Sequence, residues 1–315
     1  MRSRNASDEE RIKMRPTTLE EFVSSDYIKN TIKFTAEASK IKGSPFPHTI
    51  ILGGSGVGKT TLAKVIANMM GKKSYEMFGS AFRIETLFKI IRTMEEGDCL
   101  ILDECHELGS NMLSLYPILE DGEMYLPGLT GRIKIKPITI IAITNEIGML
   151  TQAFIDRFKL KIELDLYSTE DLAHIIKMNT TITVTDDAAL FLSGISKGTP
   201  RIAIDLIGQV ENYAISKGIK EITASIMVDA LRSYGIDKFG FNHIQRSIIE
   251  TLGNTYTGQA VGLSTLANLV GKSMKDVSNI HEGYLLSQGI IEKRKNGRIL
   301  TVKGYEILDN LKSDT

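Results

Sequence analysis

The sequence predicts an α/β protein in which a domain built on a parallel sheet precedes a helical region and a C-terminal winged helix. Three observations predict this fold class. A glycine-rich loop follows an apolar run near residue 50, capped helices with few strand signals follow residue 168, and a hairpin signal follows three helices near residue 296. At 315 residues the chain is long enough for two or three domains that each bury a core.

The composition narrows the class of protein. Lys and Arg number 38 and so do Asp and Glu, so the net charge of zero argues against indiscriminate binding of polyanions but leaves room for a local basic patch. The polar N-terminus and the lack of any apolar run near about 18 residues predict no secretory signal and no membrane span, which favours the cytoplasm. Cys99 and Cys105 are the only two cysteines, and we interpret them as small core residues.

The first residues carry little pattern. Residues 1–14 are polar, bear charges of both signs and lack periodicity, so we interpret them as a flexible arm. In RPTTLEEF, which follows, Thr18 and Glu21 have the spacing of a capping box. This spacing predicts that a helix starts there and runs toward a loop at residues 43–47.

The strongest motif lies in HTIILGGSGVGKTTLAKVIANMM, where a glycine-rich loop joins an apolar run to an amphipathic helix. Gly53, Gly58, Lys59 and Thr60 fill the pattern G-x-x-x-x-G-K-[ST], whose backbone N–H groups and helix dipole surround phosphates. Lys59 would reach the β- and γ-phosphates, and the Thr60 hydroxyl is the expected Mg²⁺ ligand. The alternative is an ordinary glycine turn, but the flanking strand and helix favour nucleoside triphosphate binding.

An acidic pair ends the next apolar strand. In DCLILDECHE, four apolar residues lead into Asp103 and Glu104. Alone, such a pair is more often a helix cap. Downstream of a phosphate-binding loop, however, the aspartate can hold Mg²⁺ through water and the glutamate can act as general base on the attacking water.

Two further polar positions follow. A strand at residues 138–143 ends in Thr144 and Asn145, which could orient water or the γ-phosphate, although a strand-end turn is the alternative. In FIDRF, Arg157 suits an arginine finger because its guanidinium can donate two N–H bonds to a phosphate. An ion pair between Arg157 and Asp156 is the simpler interpretation of the arginine alone.

From Ser168 onward the pattern is one of capped helices, which predicts an all-helical lid. Caps occur at Ser168, at Thr185 and at Thr199, where Pro200 occupies the first helical position. Arg201 therefore lies in the first turn of a helix, where a cation opposes the helix dipole unless an anion is nearby. That misfit modestly favours a phosphate contact.

The C-terminal region reads as a winged helix. Three helical patterns precede two short strand patterns, residues 290–294 and 298–302, which flank the hairpin signal Asn296-Gly297. The tip could follow a phosphate backbone without reading sequence, although solubility alone would explain its charge. Its basic residues are Lys293, Arg294, Lys295 and Arg298.

Together these motifs resemble the RuvB family, the Holliday junction branch-migration motors of the AAA+ class. The resemblance runs in register from Arg15 to Leu308 and includes LILDECHEL, LYPILEDG, AITNE, DRF, LYSTEDL, GTPRIA and YLLSQGIIEKRKNGR. It implies a P-loop AAA+ domain at residues 15–166, a helical lid at 167–238 and a winged helix at 239–315. It also implies a hexameric ring that uses ATP and Mg²⁺ to pull the duplex DNA of branched junctions.

The resemblance assigns roles to single residues. It implies that Asp103 and Glu104 are the Walker B pair, that Thr144 or Asn145 is the first sensor, and that Arg157 is given to the neighbouring subunit. Lys293 and Arg298 fall where the wing of the family contacts DNA. The ATP contacts that it implies are Arg15, Gly56, Lys59, Thr60, Thr61, Glu120, Asp121, Tyr167 and Arg201.

The sequence also departs from the family pattern. The family's two P-loop prolines are Gly54-Ser55 here, Glu146 replaces the arginine after the sensor, Gly122 replaces an aromatic residue, and Lys293 replaces a wing arginine. The hairpin between Gly122 and Lys136 is several residues shorter than the one that docks on RuvA in the family. Its arms offer only Ile133 and Ile135 on one strand and Met124, Tyr125 and Leu126 on the other, which predicts that a RuvA-like partner binds weakly or not at all.

Two other functions fit parts of the sequence. A nucleotide-switched DNA-binding or loader protein would use the ATP state to assemble on DNA without branch migration. Glu104 and Arg157 favour turnover, because a pure switch could lose either. An AAA+ transcription activator would need a distinct regulatory module, which the sequence lacks.

Overall fold

The computed structural model describes residues 15–125 and 131–312, which divide into two units. The first unit contains the residues up to Asn179 together with Gly198–Asp205, and the second contains Thr180–Lys197 and the chain from Leu206 onward. The predicted flexible arm at residues 1–14 and the apolar candidate Leu126 lie outside the described residues. Among the described helices, none has the length and apolar character needed to cross a bilayer.

Strands that follow the apolar runs of the sequence organise the first unit. In chain order they are β1 (Thr49–Gly53), β2 (Ser74–Phe78), β3 (Cys99–Asp103), β4 (Glu123–Tyr125), β5 (Arg132–Lys134), β6 (Thr139–Thr144) and β7 (Leu160–Leu164). Five of them form a parallel sheet in the order β2-β3-β6-β1-β7, and β4 pairs with β5 in a separate hairpin. Because β6 lies between β1 and β3, the carboxyl ends of these three strands meet at one edge, where ligands bind in such sheets.

The three central strands β3, β6 and β1 are buried on both faces, as strands of a parallel sheet between helices must be. Neighbouring residues along these strands enter different cores: Ile50 packs in one core and Ile51 in the other, and Leu100 and Ile101 divide in the same way. Both cysteines are free and buried, which confirms their prediction as core residues. Burial, the largest cause, raises the pKa of each thiol to about 12.

The helices of the first unit cover this sheet, but the first of them starts later than predicted. The hydrogen bonds of the predicted capping box do form, since the Glu21 N–H donates to Thr18 Oγ1 at 3.3 Å and the Thr18 N–H donates to the Glu21 carboxylate at 3.4 Å. They close a turn, because Leu19 and Phe22 are drawn into the core, and the predicted helix start at Thr18 is wrong. The helices are α1 (Asp26–Lys42), α2 (Lys59–Met69), α3 (Ile84–Thr93), α4 (Met112–Asp121), α5 (Gln152–Ile155) and α6 (Thr169–Met178).

The next region is helical, as predicted, apart from one pair of two-residue strands. The Ser168 hydroxyl accepts the Asp171 N–H at 3.0 Å and caps α6. The helix α8 starts in the first unit and continues into the second. The elements after α6 are β8 (Thr183–Val184), α7 (Asp186–Ile195), α8 (Pro200–Ser216), β9 (Glu221–Ile222), which is parallel to β8, and α9 (Ala224–Ser233).

The winged helix follows, with its own apolar core. Its hairpin strands are antiparallel, and its last helix begins at Val302, which had been predicted to lie in a strand. The elements are α10 (His243–Glu250), α11 (Leu263–Leu269), α12 (Met274–Asp276), α13 (Glu282–Ser287), β10 (Ile291–Arg294), β11 (Gly297–Leu300) and α14 (Val302–Lys312).

The hairpin turn lies one residue earlier than Asn296-Gly297. Arg294 pairs with Gly297, so Lys295 and Asn296 form the turn and the glycine belongs to β11. Gly297 has φ +147°, and a Cβ there would collide with the carbonyl oxygen of Val261. The glycine is therefore needed for the close approach of Val261, whose N–H and carbonyl both bond to Arg298 at 2.8 Å.

Candidate functional site

The P-loop runs from the end of β1 to the start of α2. Gly53 and Gly56 both have positive φ, +142° and +79°. A Cβ on Gly56 would lie 2.9 Å from side-chain carbons of Thr199 and Arg201, and one on Gly53 would collide with the carbonyl oxygen of Leu164. The loop therefore needs glycine at the two positions where β7 and the start of α8 approach it.

The side chains of the P-loop bind groups at the same sheet edge. Lys59 Nζ donates to the carbonyl oxygens of Gly53 at 2.9 Å and Gly54 at 2.8 Å, and the Thr60 hydroxyl donates to Asp103 Oδ2 at 2.9 Å. Burial lowers the pKa of Lys59, and the negative charges of Glu104 and Asp103 oppose that shift. A hydroxyl beside a carboxylate is a hard oxygen donor set of the kind that Mg²⁺ prefers, so these residues fit the predicted metal.

The predicted base and sensor are linked through a histidine. Glu104 has a left-handed backbone (φ 49°, ψ 50°), and its buried Oε2 lies 3.4 Å from Nδ1 of His106. The same nitrogen lies 3.0 Å from the hydroxyl oxygen of Thr144, which is fully buried, whereas Asn145 is exposed. Sequence reasoning missed His106, although its place three residues after Asp103 in DECH was a usable signal.

Two lid residues lie beside the P-loop: Arg201 bonds to it through its backbone, and the Tyr167 hydroxyl oxygen lies 3.7 Å from where a Cβ on Gly58 would be. The Arg201 N–H donates to the carbonyl of Gly56 at 3.3 Å, and the Tyr167 N–H donates to the carbonyl of Gly198 at 2.9 Å. Burial, with a smaller effect from Asp171, raises the pKa of Tyr167 to about 12. The predicted ATP contacts Tyr167 and Arg201 therefore lie beside the loop.

The other predicted ATP contacts differ in placement. Gly58 is the N-cap of α2, with φ 100°. Thr61 follows Thr60 in the first turn of that helix and is half-buried, whereas Arg15 is exposed and is the first described residue. The helix α2 therefore fixes the positions of Gly58 and Thr61, whereas Arg15 lies outside that helix.

Arg157 follows α5, and its side chain packs against α4, which carries Glu120. Its Nη2 is 2.9 Å from Glu120 Oε1, its guanidinium carbon is 3.7 Å from the centre of the Tyr116 ring, and its Nη1 donates to the carbonyl of Ala153. Asp156, the partner expected from sequence for an ordinary ion pair, is bound by Lys161 at 3.3 Å. The structure thus joins Glu120 to the predicted arginine finger.

Asp121 belongs to a third group. It pairs at 3.3 Å with Nη1 of Arg132, which also contacts Glu123 at 3.2 Å. The acidic pair that was predicted to complete the ATP pocket is therefore held by two arginines, Arg157 and Arg132. The residues that the structure gathers at the P-loop are Lys59, Thr60, Asp103, Glu104, Thr144, Tyr167 and Arg201.

The two predicted DNA-binding residues converge on one buried carboxylate. Arg298 donates from Nε at 2.7 Å and from Nη2 at 2.9 Å to Glu282, and Lys293 Nζ lies 2.9 Å from the same carboxylate. Burial by itself raises the pKa of Glu282, but the bonds from Arg298 and Lys293 outweigh it and hold this pKa below its ordinary value. The Lys293 side chain is 54% exposed and that of Arg298 only 14%.

The class of protein follows from this arrangement. A sensor strand inserted between the P-loop strand and the acidic strand, with an arginine at the start of a lid helix bonded to the loop, defines a nucleoside triphosphatase of the AAA+ class. Within that class the chain belongs to the RuvB family. The matching family models are the Holliday junction DNA helicase RuvB P-loop domain over residues 14–164, the RuvB AAA lid domain over 167–237 and the RuvB C-terminal winged helix domain over 238–309.

Individual relatives resemble nearly the whole chain. The Holliday junction branch migration complex subunit RuvB of Fervidobacterium nodosum is 34% identical over 94% of this chain and 88% of its own length. That of Streptococcus thermophilus is 33% identical over 95% and 94%. Among solved structures, the Thermotoga maritima RuvB Holliday junction branch migration motor is 31% identical, with a TM-score of 0.78 over 94% of this chain and 98% of its own.

Proposed function

We propose that this protein is an ATP-driven motor that translocates duplex DNA and thereby drives branch migration of Holliday junctions. The observation that carries the proposal is the shared sheet edge, where Thr60 of the P-loop, the Asp103–Glu104 pair and the sensor Thr144 lie within one network of contacts. The match of all three family models supports the same function. It also supports a division into domains at residues 15–166, 167–238 and 239–315.

The residues at this edge divide the work of hydrolysis. Lys59 would exchange the carbonyls of Gly53 and Gly54 for phosphate oxygens. Thr60 and Asp103 would hold Mg²⁺, which when bound would supply positive charge to the β- and γ-phosphates. Glu104 accepts the proton of the attacking water, and Thr144 or Asn145 orients the γ-phosphate.

A ring explains the position of Arg157. Its guanidinium is held by Tyr116, Glu120 and Ala153 of α4 and α5, whereas the P-loop side chains bond to β1 and β3. We propose that Arg157 and Glu120 serve the ATP bound to a neighbouring copy in a homo-hexamer. Head-to-tail contacts of this kind close into rings.

The assay that decides this function uses a synthetic four-way junction. Dissociation of the junction into duplex products with ATP, and not with a non-hydrolysable analogue, is the expected result. ATP-dependent binding without dissociation would instead identify the nucleotide-switched loader. Absence of both DNA-stimulated hydrolysis and junction dissociation would overturn the proposed function.

We propose further that the β10–β11 hairpin contacts the DNA backbone through Lys293 and Arg298. The bonds to Glu282 use Nε and Nη2 of Arg298, which fixes the plane of the guanidinium, while Lys293 keeps a half-exposed side chain. Contacts of this type neutralise phosphates without reading bases. The Glu282 carboxylate thereby sets the orientation of the Arg298 and Lys293 side chains.

Lys293→Ala is expected to weaken duplex binding on any sequence and to reduce the slope of log affinity against log salt by about one, because one phosphate contact is lost. Fluorescence anisotropy across a salt series measures this slope. The matched control is Lys33→Ala, which removes the same charge from the exposed face of α1. Equal slopes for Lys293→Ala and the wild type would place the DNA on another surface.

Glu282→Gln is expected to lower the free energy of unfolding by about 2–3 kcal/mol at neutral pH, because two cations lose a buried partner. The folded-state pKa of Glu282 is lowered, so its contribution is complete above the ordinary glutamate pKa and is lost as pH falls below it. Thermal melts of both proteins should therefore differ at neutral pH and converge in acid. A difference that persists unchanged in acid would contradict this account.

The described residues of the short β4–β5 hairpin offer little apolar surface to a partner. Tyr125 and Ile133 are partly exposed, at 47% and 37%, whereas Met124 is buried and Ile135 packs on the core of its own unit. We expect a typical bacterial RuvA to bind weakly or not at all. The reason is that the loss of one or two anchoring side chains from a hairpin interface lowers the affinity several-fold or more. The protein would then load by itself or through another partner.

The measurement is a titration of labelled, junction-bound RuvA with the protein and ATP. Ile133→Asp tests the hairpin, and Phe34→Asp, at an exposed apolar residue of α1, is the matched control. Submicromolar binding that only Ile133→Asp abolishes would contradict the prediction and restore the hairpin to a docking role.

A further inference from the structure

His106 connects two groups that the proposed reaction uses. Its ring nitrogen Nδ1 lies between the Thr144 hydroxyl oxygen, at 3.0 Å, and Glu104 Oε2, at 3.4 Å. The Thr144 oxygen already accepts the Glu146 N–H at 2.9 Å, and Glu104 Oε2 is buried without a hydrogen bond of good geometry. The ends of two strands, β3 and β6, are therefore linked by a side chain that is 9% exposed.

Accounting for donors and acceptors selects one tautomer of His106. A carboxylate oxygen only accepts hydrogen bonds, and a neutral imidazole has one donor nitrogen and one acceptor nitrogen. If Nδ1 lacked hydrogen, its lone pair would face the Glu104 carboxylate. If Nδ1 carries the hydrogen, that hydrogen lies between two acceptor oxygens, and the hydroxyl hydrogen of Thr144 stays free to be donated elsewhere.

We propose that His106 is a positioning residue for ATP hydrolysis, which as the Nδ1–H tautomer donates a shared hydrogen bond to Glu104 and Thr144. This inference rests on the proposed function. His106 orients the carboxylate of the base Glu104 and directs the hydroxyl hydrogen of Thr144 toward the γ-phosphate. Since one N–H serves two acceptors, movement of Thr144 toward the phosphate strengthens the hydrogen bond from His106 to Glu104. The presence or absence of the γ-phosphate therefore changes how firmly Glu104 is held.

The tautomer can be measured without nucleotide. In ¹⁵N-histidine-labelled protein at about pH 8.5, where imidazoles are neutral, the ring signals of the five histidines report which nitrogen carries hydrogen. His106→Asn identifies the signals of His106 by their loss, and His174→Asn, at an exposed position on α6, is the control. The Nδ1–H form is expected, and the Nε2–H form would overturn the proposal.

Kinetics separate positioning from mere packing. His106→Leu is expected to lower kcat about 100-fold and to leave the KM and Kd for ATP within about twofold, because misplacing a base affects the chemical step. His106→Asn, whose amide N–H lies close to the position of Nδ1, is expected to recover about tenfold of that loss. Equal activity of the leucine and asparagine variants, or wild-type kcat in both, would overturn the proposal.

A double variant tests whether His106 acts through Glu104. In a Glu104→Gln background, His106→Leu should cause no further loss, because the group that it positions is already gone. A full additional loss would show an independent role and contradict the proposal. If the wild type itself fails to hydrolyse ATP, the proposed function fails, while the tautomer measurement still decides whether Nδ1 of His106 carries the hydrogen that the shared bond requires.

Discussion

Replacing Glu104 by glutamine is expected to reduce ATP turnover by about 1000-fold while ATP affinity stays within about twofold of the wild type. The physical reason is that an amide cannot accept the proton of the attacking water. The substitution conserves size, so the contacts of Lys59 with the P-loop and of Thr60 with Asp103 persist. Single-turnover hydrolysis and a fluorescent-nucleotide titration measure the two effects separately.

The control for this variant is Glu107→Gln, which makes the same change three residues later at an exposed position. It should hydrolyse ATP like the wild type. Turnover retained by Glu104→Gln would show that another group is the base. A parallel loss of ATP binding would show that Glu104 supports the phosphate site itself.

Arg157→Ala is expected to bind ATP normally and to lose about 1000-fold in turnover, the effect of removing an arginine finger. The guanidinium is held by the Tyr116 ring and by Glu120, which keeps a charged group ready at the end of α4. Arg157→Lys should fall almost as far, because an ammonium keeps the charge but lacks the fork and the planar stacking.

Mixing inactive variants tests whether Arg157 acts on a neighbour. When Arg157→Ala and Glu104→Gln proteins are mixed in equal amounts, about one quarter of the interfaces in a random ring contain both intact groups. ATPase activity should therefore reappear. Mixed rings that demonstrably form, for instance by co-purification of two tags, and yet stay inactive would place the finger elsewhere or within its own subunit.

The grouping of the candidate ATP-site residues at one edge of the sheet could largely be predicted from the sequence, because the motifs that contain them depend on short spacings. The P-loop spans a few residues between a strand and a helix, and Asp103 and Glu104 follow an apolar run directly. Parallel strands all end at the same edge of a sheet, so motifs far apart in the chain can be expected to meet there. His106 was missed because its place in DECH does not by itself show that its side chain reaches Thr144 on another strand.

Contacts between distant segments decided the rest. The capping box at Thr18 satisfied its hydrogen bonds in a turn, because burial of Leu19 and Phe22 outweighed a local preference for helix. Gly297 looked like a turn glycine but serves the approach of Val261, which is 36 residues away in the sequence.

The sequence by itself determined the class of protein, since local spacing specifies the P-loop, the acidic strand end and the hairpin. Only the tertiary structure decided which charges meet. Arg298 and Lys293 both form ion pairs with the buried Glu282, and Arg157 forms an ion pair with Glu120 instead of with its sequence neighbour Asp156. The reason is that an ion pair depends on distance in space and on burial, and both are set by the packing of elements that the chain separates.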